Sequence, residues 1–153
     1  MATYDLIFVI LGLYHNLMLI ALFYSRRNRI ELMTLIGKAY LILMLPGSIG
    51  ILIWAILLDF RWGYLLLLVI IILYLLVEIT YDYVLRWNWR KNWKQATPYL
   101  AFYYVANYAI VVLNWENSTI WGILLLILFV IQLVVNFWAH QGQKATKIAT
   151  QSI

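Results

Sequence analysis

The chain has 153 residues, of which 66% are hydrophobic and only 11% charged, against roughly half apolar and a quarter charged in a soluble domain. That composition excludes a water-soluble globule. The absence of cysteine excludes disulfides, thiolate catalysis and cysteine-ligated metal centres. The formal charge of +5 comes from basic residues concentrated on particular loops, which points to membrane orientation and away from nucleic acid.

Apolar runs close to 20 residues long predict an all-α integral membrane protein: a single transmembrane domain over 1–153, built as a five-span helix bundle. The first span is expected over about residues 6–23. No basic residue precedes it and Arg26-Arg27 follow it, so it is expected to be retained and not cleaved as a signal peptide. His15 and Asn16 fall near its midpoint. The second span, about 31–58, carries the polar stripe Glu31, Thr34, Lys38. Lys38 is about 13 Å past Arg29 by helical rise, an anomalous depth for a charge. Pro46 removes a helical hydrogen bond and predicts a kink. With Gly47, Ser48 and Gly50 beside it, the segment reads as a hinge or as a seam of small residues for close helix packing.

The third span, about 64–85, places Tyr74, Glu78, Tyr81 and Asp82 within about 100° of one another, a single polar face that should look into the bundle. Glu78 matches Lys38 in depth, which predicts an ion pair between them. The fourth span is expected to be short, about 98–113, with Thr97 as N-cap and Pro98 at the first helical position. A four-span chain with this segment re-entrant is the alternative. Tyr99, Tyr103, Tyr104, Asn107, Tyr108 and Asn114 share about half of its circumference and could line a pocket. The fifth span, about 119–140, presents Gln132, Asn136 and His140 at steps of four.

Nine Lys and Arg residues flank one set of span ends: Arg26, Arg27, Arg29, Arg86, Arg90, Lys91, Lys94, Lys144 and Lys147. The other set has Arg61 alone, with Asp5, Asp59 and Glu116. The positive-inside rule therefore expects the N-terminus outside and the C-terminus cytoplasmic, in a cytoplasmic or other inner membrane. Arg86, Arg90 and Lys94, interleaved with Trp89 and Trp93, read as a lipid-headgroup contact or as ordinary interfacial charge with an aromatic belt. In size, five-span layout and Trp/Tyr richness (8 Trp, 12 Tyr) the chain resembles the translocator protein family. That family has a Trp- and Pro-rich first loop, where this chain has Ser25-Arg26-Arg27-Asn28-Arg29, so the resemblance is one of architecture and transfers no residue.

No phosphate loop, dinucleotide fingerprint, HExxH or nucleophile elbow is present. No metal site and no cofactor are expected. Ionisable and polar groups at similar depth on several helices instead point to a polar cavity open to the cytoplasm, with His15, Lys38, Glu78, Asp82, Tyr103, Asn107 and Gln132 as its ligand-binding residues. The expected function is binding or moving a small hydrophobic or amphipathic molecule or lipid. Two other readings stand beside it. One is a structural or assembly subunit whose polar groups lock the helices, in a homo-oligomer or with a partner membrane subunit. The other is an intramembrane enzyme on a lipid or isoprenoid substrate, with Glu78 or His15 as general base.

Overall fold

A computed structural model describes residues 3–85 and 93–151, with side chains described for most of 6–85 and 94–139. Among the described residues there is no strand. The chain folds into α1 (Thr3–Asn28), α2 (Ile30–Leu57), α3 (Trp62–Ile79) continued by a π-helical turn (Thr80–Val84), α4 (Trp93–Asn117) and α5 (Thr119–Gln151). Five stretches are long and apolar enough to cross a membrane: Leu6–Arg27, Glu31–Leu57, Trp62–Val84, Ala96–Asn117 and Thr119–Ala139. The fourth is long enough to cross, because 25 residues of α4 rise about 37 Å, more than the roughly 30 Å hydrocarbon core. The expected start at Pro98 is corrected. The helix already runs from Trp93, and Pro98 sits inside it, where it removes the bond its N–H would have made to the Lys94 carbonyl.

The helices close a ring, each packed on its chain neighbours with α5 returning to α1, and α1 also meets α4 across the middle. Half of the α4 span is buried, against 17% of the α5 span, so α4 is central and α5 peripheral. Lipid offers no hydrophobic drive between helices, and close approach depends on small residues and shape. Ala55, Ala106 and Ala109 are fully buried, and a Cβ on Gly12 would meet Leu125 Cδ1 at 2.8 Å and Ile110 Cγ2 at 3.1 Å. Leu57, Ile120 and Phe137 point outward, where acyl chains solvate them as well as a core would.

Two reversals use a single residue. Arg29 links α1 to α2, with its N–H donating to the Ser25 carbonyl at 2.8 Å and its own carbonyl accepting from Met33 at 3.0 Å; Ser118 does the same between α4 and α5. The second reversal needs Gly122, where a Cβ would fall 2.8 Å from the Cα of Trp115. The α2–α3 connection closes differently. Asp59 adopts φ 52°, its N–H donates to Ile56, that of Phe60 donates to Ala55, and the Phe60 ring packs on Trp54 at 5.7 Å. These bonds and this apolar contact constitute a Schellman cap, with aspartate at the position glycine usually takes.

Of the small residues expected to form a seam at Pro46, only Ser48 is buried. α2 continues through Pro46, while Gly47 and Gly50 are exposed and a Cβ on either would touch nothing. Gly47 instead borders an apolar groove of about 280 Å³ between α1 and α2. Below, "basic end" means the end of the bundle marked by Arg26, Arg27 and Arg29.

Candidate functional site

Two polar zones lie inside the bundle, and the expected site residues divide between them. The first is a buried layer through α1, α2, α4 and α5. His15 is fully buried, with the Tyr40 hydroxyl 2.9 Å from Nδ1 and Asn107 Oδ1 3.3 Å from Nε2. Asn107 Nδ2 donates to the Tyr103 carbonyl at 2.9 Å, which fixes its amide orientation and leaves Oδ1 as an acceptor only. Nε2 therefore carries the proton, Nδ1 accepts from Tyr40, and one neutral tautomer satisfies every group in the chain. The ring also meets Tyr40 and Tyr74 edge-on, at 5.7 and 6.2 Å between centroids.

Gln132 extends the layer, with Nε2 2.5 Å from the Tyr103 hydroxyl. Either amide orientation gives Tyr103 one hydrogen bond and leaves the other Gln132 polar atom buried without a partner. Asn16 and Asn114 each donate back to the carbonyl four residues earlier, a local bond within the helix that leaves both Oδ1 atoms buried without a partner. His15, Tyr103, Asn107 and Gln132 thus bond mainly to one another and to backbone.

The second zone is a cavity of about 370 Å³ at the basic end, between α1, α2, α4 and the junction of α3 with its π turn. Leu19, Leu22 and Phe23 line it from α1, and Thr34, Gly37 and Leu41 from α2. Glu78, Asp82, Tyr83 and Tyr99 complete the polar side. Glu78 is buried, 6% exposed, and its Oε2 accepts from the Tyr99 hydroxyl at 2.5 Å, the short distance of a hydroxyl bonded to a carboxylate. Tyr81 stacks on Tyr99 at 6.3 Å and 28°. A Cβ on Gly37 would stand 3.3 Å from the Tyr83 hydroxyl, so glycine lets α2 approach the π turn.

The π turn shapes this wall. Leu85 N–H reaches the Thr80 carbonyl at 2.8 Å, a bond across five residues, and the wider turn brings both Asp82 and Tyr83 to the cavity that Glu78 enters from the preceding helical turn. Turns of this kind recur at functional sites. The single polar face expected for residues 74–82 is present, since Tyr74 and Glu78 are buried and Tyr81 and Asp82 half-buried. The addition of Tyr83 was not legible at 3.6 residues per turn.

Three expectations are corrected. Lys38 does not pair with Glu78: it is exposed on α2, whose buried face runs through Gly37, Tyr40, Leu41, Met44 and Ser48. The aromatic half of α4 splits, with Tyr99 and Tyr103 inside but Tyr104 and Tyr108 exposed. His15, Tyr103, Asn107 and Gln132 are not among the residues that line this cavity. Asn136 is half-buried, Lys94 is exposed at the start of α4, and Arg86, Arg90 and the His140 side chain lie outside the described residues. Among the described residues no group of three or more His, Asp or Glu side chains could hold a metal.

Five apolar helices and a polar interior define the class: a polytopic membrane protein. Comparison with known proteins narrows it no further, because no family model, curated protein or solved structure matches the chain.

Proposed function

We propose that this chain is a membrane-embedded binding protein, of a kind able to serve as a carrier or transporter subunit, which holds a small amphipathic molecule or lipid in the cavity at its basic end. The observation that carries the reading is the wall of that cavity: a buried Glu78 held by Tyr99, a second carboxylate on Asp82, and aliphatic side chains around them. Ligand sites combine a mostly apolar lining with a few placed polar groups in volumes of about 300–1,000 Å³. A charge at that depth in lipid is costly unless it has a use or a partner. The excess of Lys and Arg at the same end turns the cavity to the cytoplasm by the positive-inside rule.

A structural or assembly role is the second reading, favoured by the complete hydrogen bonding of His15 with Tyr40 and Asn107. Native mass spectrometry of the mildly solubilised protein separates the two. Binding predicts an adduct at fixed stoichiometry, absent from Thr34→Trp, which fills the cavity from an exposed position, and retained by Lys38→Met, which alters an exposed side chain outside the wall. A bare protein, or one that arrives only with partner subunits, contradicts binding and supports the structural role.

A further inference from the structure

Two side-chain chemistries meet in the cavity at the basic end, and both select for positive charge. Glu78 and Asp82 supply carboxylates, one at the junction with α3 and one on the π turn. Phe23, Tyr83 and Tyr99 supply aromatic rings from three different elements. Carboxylates attract a cation by charge, the more strongly as water is excluded, and aromatic rings attract it through their quadrupole, a pairing that recognises alkylated ammonium groups. Among the described residues no Lys or Arg lines the cavity. Lys38, one turn beyond Thr34, lies exposed outside the wall.

We infer that the occupant is an organic cation, an amine or quaternary ammonium whose charged centre sits beside Glu78 and Asp82 while its apolar body lies against the aromatic and aliphatic wall. This rests on the binding reading above and specifies its ligand class. An anionic amphiphile would bring its charge against two carboxylates, and an uncharged one would gain nothing from their charge.

The test is equilibrium dialysis of radiolabelled phenyltrimethylammonium against the protein in nanodiscs of zwitterionic lipid, with empty nanodiscs as the blank. Tert-butylbenzene, which has the same shape without the charge, and benzenesulfonate, which puts an anion on the same ring, are offered as competitors and as probes in their own right. The expected result is saturable binding of the cation, displaced by neither competitor. Glu78→Gln and Asp82→Asn should each weaken it by about tenfold or more, and Thr34→Trp should abolish it. Because Asp82 is only half-buried, its variant keeps the test valid should Glu78→Gln fail to fold. Displacement by tert-butylbenzene or benzenesulfonate, or binding untouched by both carboxamide variants, overturns the cation while leaving a ligand site sensitive to Thr34→Trp. Retention of none of the three probes also overturns it, and the co-purifying mass then decides the binding reading separately.

Discussion

His15 shows what a polar residue in a membrane bundle is worth. In a soluble protein, leaving a buried donor or acceptor unsatisfied costs about 1–3 kcal/mol. Between membrane helices the average is about 0.6 kcal/mol with a maximum near 1.7, because the unfolded reference state in lipid also finds partners. Tyr40→Phe strips the donor from His15 Nδ1 without changing shape, and its cost should therefore be about 0.5–1.5 kcal/mol, read as a lowered thermal midpoint in detergent. Phenyltrimethylammonium binding should be unchanged, since neither residue lines the cavity. A loss of binding at constant stability would show that the buried layer belongs to the site.

The depth of single residues was legible in the sequence, and their direction was not. Counting from the basic loops placed Lys38 and Glu78 at one level, but depth says nothing about azimuth. Helix α2 is apolar nearly all round, so no moment orients it. Lys38 and its buried neighbour Gly37 differ by about 100° of rotation, enough to carry the lysine to the outside. Helix α3 could be oriented because Tyr74, Glu78 and Asp82 recur at steps of four, and its polar face was foreseen. The role of Tyr99 was half visible: its place on the aromatic side of α4 was read, its bond to Glu78 was not.

Helix ends were read where composition changes, whereas backbone hydrogen bonding ends elsewhere. The helices α1, α4 and α5 outrun their apolar segments, to Asn28, back to Trp93 and on to Gln151, since Arg, Lys, Gln and Ala continue a helix readily. Thr97-Pro98 carried the signature of a helix start, yet proline within the early turns sacrifices a single bond, and the helix begins before it. The cap at Asp59 was hidden because aspartate fills a left-handed position without the glycine that marks such caps. An L-residue with a Cβ is strained there. Asp59→Gly should accordingly stabilise the protein by about 0.5–1 kcal/mol, seen as a higher thermal midpoint, while Asp59→Val should lower it. Equal midpoints for all three would mean that the cap does not limit stability.

The bundle as a whole places its charges, its cavity and its termini in one consistent order. Five crossings put Arg29 and Ser118 on opposite faces of the membrane, with α2, α3 and α4 between them. The positive-inside rule expects the basic face to be the cytoplasmic one, and it is the face toward which the wall of Glu78, Asp82 and Tyr99 lies. A chain without cysteine makes this directly measurable. Arg29 is exposed and Ser118 half-buried, whereas Ser25 is buried and would report poorly. Arg29→Cys and Ser118→Cys, probed separately with a membrane-impermeant thiol reagent in right-side-out and inverted vesicles, give the decisive reading. Five spans with a cytoplasmic cavity predict labelling of Arg29→Cys in inverted vesicles only and of Ser118→Cys in right-side-out vesicles only. Labelling of both from one side would make α4 re-entrant and contradict the bundle, and the reversed pattern would turn the cavity to the outside.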